Sequence, residues 1–259
     1  MKLPTRITIA VGCLAAALCA GGLARGQAIT GLWEFTDGNN LAAATIGAPL
    51  TINGTSPSWS ASQTYGSTTL DGVINTVVGS SNSILVTHGI GANGGGTRTN
   101  EYTFVYDVRK PTATLWRSFY QTDLTNTTNA EFFVRGSGDG ATLNTLGRSD
   151  IGFSSTAMAA NVWYRLVVAA DLGSRFAAYR DGAPFATYTV PAVDNADYSL
   201  DPSRVLFFAD ETVFPDGTSE NHQLTIGSMA VYAGALTAGQ ASLLGAAGSA
   251  YATFRPLTW

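Results

Sequence analysis

The sequence predicts an all-β protein: a two-sheet antiparallel β-sandwich (jelly roll) with one short C-terminal helix. Three observations carry this. Trp163 to Ala170 is apolar at almost every position, the mark of a strand buried on both faces. Its Val and aromatic content and the Asp171-Leu-Gly173 stop favour strand over helix. Phe176–Tyr179 and Phe185–Val190 flank Arg180-Asp181-Gly182-Ala183; Asp-Gly between β-type runs signals a hairpin, because a type I′ turn needs positive φ at both central residues. Finally, about a dozen strand-like runs recur with turn signals every ~8–12 residues, the spacing of sandwiches and jelly rolls.

In chain order, Ile29–Phe35 is the first expected strand and Leu50–Gly54 the second, with Asp37-Gly-Asn-Asn40 as a turn between them. Ser56 to Thr69 reads as a polar connection with scattered aromatics. Val73–Val78 and Ser83–Thr87 follow, and then the glycine-rich stretch Gly89–Gly96. Glu101–Val108 alternates, placing Tyr102, Phe104, Tyr106 and Val108 on one side and Thr103, Val105 and Asp107 on the other. Trp116–Gln121 and Glu131–Arg135 form the next pair, and Asp150–Ser154 precedes the double-faced strand and its hairpin. Arg204–Ala209 is again apolar on both faces, and Leu224–Tyr232 is the last main strand. One helix is expected: Thr237 and Gln240 have capping-box spacing, Ala241, Leu243 and Leu244 follow, and Gly245 stops it. In the tail from Ala246 to Trp259, Tyr251, Phe254 and Trp259 argue for docking, and the Gly and Ala content for fraying.

Composition narrows the function classes. At 259 residues and 45% hydrophobic the chain can bury a large core, yet only 12% of residues are charged, about half the usual ~25%. Ser, Thr, Asn and 29 glycines supply the polarity. Met1–Ala28 reads as an export signal: Lys2 and Arg6 form the positive region, Ile7–Ala20 the apolar run, and Ala24–Ala28 the cleavage region. Both cysteines, Cys13 and Cys19, lie inside it, so the exported protein is expected to have neither disulfides nor thiol chemistry. The whole chain carries a net charge of −4; taking Lys2, Arg6 and Arg25 from its 14 basic residues leaves 11 against 18 acidic ones, a net charge near −7. That balance argues against nucleic acid and against anionic lipid. After signal cleavage no membrane association is expected, and the location is secreted, periplasmic or cell-surface.

Motifs for chemistry are sparse. Gly89-Ile-Gly-Ala-Asn-Gly94 matches G-x-G-x-x-G, but a strand follows it where a dinucleotide fold needs a helix. His88 and His222 are the only histidines, and neither a G-x-S-x-G elbow nor H-E-x-x-H occurs. No strong strand pattern carries Glu or Asp at i, i+2, the arrangement by which many sandwich glycosidases pair two carboxylates. Asp210-Glu211, ending a buried run, is the candidate calcium site, since calcium takes several oxygens in flexible geometry. Asp123 with Asn126 and Asn129 is a second oxygen-rich cluster, or an Asx-turn loop. Trp59, Tyr65, Trp116 and Tyr120 are candidate sugar-stacking platforms or core residues, because an aromatic face accepts the apolar face of a pyranose.

With its strands placed, the chain resembles laminin G-like (LamG-like) domains of the concanavalin A-like superfamily, in particular bacterial exported ones. Gly31-Leu-Trp-Glu-Phe35, Asn100–Asp107, Trp116–Asp123, Ala130-Glu-Phe-Phe133, Trp163–Val168, Tyr179-Arg-Asp-Gly182, Leu206–Glu211 and Ile226–Leu244 carry the resemblance, over residues 29 to 245. It implies two stacked sheets, ligands bound at a concave face or rim loops, and, in many members, one calcium ion. Ala130 stands where an acid is usual, which weakens calcium at that loop. The expected function is a secreted, non-catalytic carbohydrate-binding or adhesion module whose partner is a glycan or a cell-surface protein. Its expected ligand-binding residues are Trp59, His88, Trp116, Tyr120, Asp123 and Asn126, its expected rim loops are 56–69, 88–98 and 122–130, and Asp210 and Glu211 are expected for metal. A polysaccharide hydrolase or lyase using Glu131 or His88 is the first rival, and a structural domain of the cell envelope the second.

Overall fold

The computed structural model describes residues 27–79, 81–127, 131–136, 143–209 and 222–254. Its strands are β1 Ile29–Trp33, β2 Thr51–Asn53, β3 Ser58–Tyr65, β4 Thr68–Asn75, β5 Ser83–Thr87, β6 Glu101–Arg109, β7 Arg117–Gln121 and β8 Glu131–Val134. They continue as β9 Leu146–Arg148, β10 Gly152–Phe153, β11 Tyr164–Asp171, β12 Arg175–Arg180, β13 Ala183–Thr187, β14 Arg204–Phe207 and β15 Thr225–Ala233, before helix α1, Ala238–Leu244. Two antiparallel sheets form a sandwich. One runs β13-β12-β11-β6-β15-β4-β3 with β1 beside β15; the other runs β10-β9-β8-β7-β14-β5-β2.

The expected alternation of β6 holds. Tyr102, Phe104, Tyr106 and Val108 enter the core between the sheets, where they meet Phe119, Phe132, Val205 and Phe207 from the second sheet. Each large apolar side chain so buried contributes about 1.5–3 kcal/mol. Strand β11 is buried on both faces, as its composition predicts. Leu166, Val168 and Ala170 face the inter-sheet core, while Val167 and Ala169 join a second cluster with Val105, Ala230 and Tyr232. That outer cluster is covered by Ala241 and Leu244 of α1 and by Tyr251, Ala252 and Phe254 of the following segment, so its lid is helix and extended chain.

The local signals also hold. Asp181 and Gly182 both have positive φ, 52° and 79°, as a type I′ turn requires. The Thr237 hydroxyl accepts from Gln240 N and the Gln240 side chain returns to the Thr237 N–H, completing the capping box. One expectation fails: the stretch 56–69 is not a connection but an edge hairpin, β3–β4, paired from Ser58↔Asn75 to Tyr65↔Thr68. An edge strand exposed along most of its length needs no apolar face, so hydrophobic patterning does not reveal it.

Candidate functional site

A cavity of about 380 Å³ opens on the outer face of the β6 sheet, within the usual ~300–1,000 Å³ of ligand pockets. Glu34 and Thr36 follow β1, Thr69 and Asp71 lie on β4, Asp107 on β6, Arg165 on β11 and Ser228 on β15; Gly248–Tyr251 close one side. Backbone irregularities shape it. The β15–β6 register shifts between Ile226 and Ser228, a bulge that re-aims side chains. At Gly227 a Cβ would sit 2.5 Å from Leu70 Cδ1, so a larger residue there would push the Leu70 side chain aside.

The floor is a buried ion pair. Arg165 Nε donates to Asp107 Oδ1 at 2.7 Å and Nη2 to Oδ2 at 2.8 Å. Nη1 donates to Leu244 O at 2.7 Å, and Nη2 also to Ser249 O at 2.7 Å. Asp107 Oδ2 accepts from Ser228 Oγ at 3.0 Å and from Gly248 N at 2.9 Å. The Tyr251 ring lies 4.5 Å from the guanidinium, and its hydroxyl shares a 2.7 Å hydrogen bond with Ser228 Oγ. Burial disfavours the Arg165 charge, but Asp107 outweighs it and holds the guanidinium above its ordinary range. Burial and the Asp107 charge push the Tyr251 phenol up as well.

The mouth is different. Asp71, Thr36 and Thr69 are exposed and Glu34 is half-buried, its carboxylate accepting the Thr45 hydroxyl at 2.7 Å. These groups can exchange hydrogen bonds with a hydroxyl-rich ligand. The titratable groups of the lining, among the described residues, are Glu34, Asp71, Asp107, Arg165 and Tyr251. Among the described residues no group of three or more His, Cys, Asp or Glu is placed to hold a metal.

The described residues expected from sequence lie outside this lining. Trp59, on β3, is 38% exposed; its Nε1 donates to Phe35 O at 2.8 Å and its ring packs on Gly38. His88 is buried, accepting from Ile90 N at Nδ1 (3.1 Å) with Nε2 2.8 Å from Asp201 O. Ile90 must donate to Nδ1, so the proton of the neutral ring sits on Nε2. Burial lowers its pKa despite the raising effect of Asp201. Trp116 stacks edge-on against Phe133 at 5.1 Å. Tyr120 lies wholly inside the inter-sheet core, 5.5 Å from Phe132, and offers no face to a sugar.

Asp123 and Asn126 do come together, in a turn. Asn126 N donates to Asp123 O at 3.1 Å, and Asp123 accepts from the backbone of Thr125 at 2.9 Å and of Thr127 at 2.8 Å. Asp210 and Glu211 lie outside the described residues, and so does Asn129. The pocket residues carried one readable signal. Asp107 and Arg165 are opposite charges inside two strands whose neighbours are buried, and such charges persist only when paired.

The second sheet bears an aromatic band on its outer face. Phe133 and Phe153 both pair with Gly147 of β9, and their rings lie 5.9 Å apart. Trp116 continues the band, and the Arg135 guanidinium lies 3.6 Å over the Phe153 ring.

No family model matches the chain, and no curated protein matches it. Solved structures do. Domain 4 of AbnA, a GH43 extracellular arabinanase from Geobacillus stearothermophilus, solved with arabinotriose, superposes with TM-score 0.54 at 16% identity, covering 85% of this chain and 100% of that domain. The binding domain of botulinum neurotoxin serotype D gives 0.53 at 13% identity, covering 83% and 50%. A Trypanosoma rangeli sialidase complex gives 0.52 at 11%, covering 84% and 32%. The chain thus spans the whole arabinanase domain, half of the neurotoxin chain and a third of the sialidase. At these identities the likeness is one of fold, and it places the chain among β-sandwich domains.

Proposed function

We propose that the chain is an exported, non-catalytic carbohydrate-binding module of the laminin G-like type, taking its glycan at the pocket bounded by Glu34, Asp71 and the Arg165–Asp107 floor. One observation carries the reading: a concave site rich in hydroxyls and carboxylates is built on rigid strands. The arabinanase domain solved with arabinotriose supports it by analogy of fold, and Lys2, Arg6 and the apolar run to Ala20 support export.

The test is a glycan array and an insoluble-polysaccharide pull-down with the full chain and with Asp71→Ala. Binding is expected to at least one glycan and to weaken about tenfold or more in the variant, the equivalent of ~1.4 kcal/mol. Binding unchanged by Asp71→Ala removes the pocket from the reading. Release of soluble sugar from a bound polymer would replace the binding module with an enzyme.

A further inference from the structure

Resting on that reading of the pocket, we infer that it admits neutral and amino-bearing glycans and rejects glycans that carry carboxylate or sulfate. The argument turns on Arg165, the one cation in the lining among the described residues. An acidic sugar is held most strongly by a guanidinium or ammonium that can turn its N–H groups to the ligand. Arg165 cannot. Its side chain is 1% exposed, and four of its five N–H groups are engaged, two by Asp107 and one each by Leu244 O and Ser249 O. Asp107 already neutralises its charge at 2.7 Å.

The open part of the cavity presents the opposite sign. Glu34 and Asp71 are acceptors, and the threonine hydroxyls of Thr36 and Thr69 are neutral. An anionic sugar entering there would lose water without gaining a cation and would face two carboxylates, both unfavourable. A sugar hydroxyl or a protonated amine would instead donate to those carboxylates in charge-assisted hydrogen bonds. Like-charge juxtaposition of this kind is how a site excludes a competitor of the same shape.

Calorimetric titration of the full chain with three hexasaccharides tests this: N-acetylated chitohexaose (neutral), its deacetylated form (cationic) and hexagalacturonate (anionic). The neutral and cationic forms should bind at least about tenfold more tightly than the uronate. In a Glu34→Gln, Asp71→Asn double variant, checked for folding by its melting curve, the cationic preference should fall to near unity. Uronate binding equal to or tighter than the others in the native chain, and weakened in the variant, would overturn the charge rule while leaving the pocket in place. Binding of all three that ignores the double substitution would remove the pocket itself, and failure of all three to bind overturns the inference.

Discussion

Two arginine–carboxylate arrangements in this molecule share their chemistry and differ in their surroundings. Arg165 and Asp107 are 1% and 4% exposed and bind bidentately at 2.7 and 2.8 Å. Arg148 is 14% exposed and reaches Asp197 at 2.9 Å and Asp150 at 3.4 Å, acids 38% and 48% exposed. The inner pair gathers β6, β11, β15, the end of α1 and the segment after it around one charge. The outer set trims a loop rim, where Tyr198 also donates to Asp150 at 2.6 Å. Position in the solvent gradient decides which of them organises structure.

The sharpest way to break the comparison is Arg165→Ala, which leaves Asp107 buried and uncompensated. A loss of about 3–5 kcal/mol is expected, or on the order of 10 °C in melting temperature for a chain of this size, together with loss of glycan binding as the pocket floor opens. A melting curve within a degree or two of the native chain would show that the buried pair does not organise this face.

A pH series adds a third buried polar group, His88. Its folded pKa is depressed by burial, and protonation would remove the acceptor that Ile90 N–H uses. The unfolded state therefore takes the proton first. The stability His88 contributes is fully present above its unfolded pKa, near 6.5, and is lost as pH falls below that value toward its lower folded pKa. Denaturant midpoints measured from pH 7.5 to 5 should fall in the native chain and flatten in His88→Ala; equal slopes would exclude the histidine as the source. At the small end stands Arg148→Ala, expected to change stability by at most ~1 kcal/mol, since partly exposed pairs are screened. A loss as large as that of Arg165→Ala would erase the distinction.

Much of the scaffold was legible beforehand because it depends on near neighbours in sequence. Asp181-Gly182 codes its own turn through the φ values it tolerates, and Thr237 with Gln240 codes a helix start within four residues. The unbroken apolar run of β11 announced burial on two sides. The edge strand β3 is not legible in the sequence, because its exposed polar residues leave no apolar period. Tyr120 and His88 were expected at a ligand face and lie in the interior, since residue type alone does not say which side of a sheet a ring occupies.

The sequence by itself determined the class of architecture, the double-faced strand, the hairpin and the capped helix, because periodicity and turn chemistry act over a few residues. Only the tertiary structure decided where the cavity lies. Glu34, Asp71, Asp107, Arg165, Ser228 and Tyr251 meet at one cavity because the pairing of β6 with β11 and β15 sets their register. The docked segment after α1 then supplies the last wall. Contacts between residues so distant in the chain are fixed by the packing of whole sheets, and no local pattern records them.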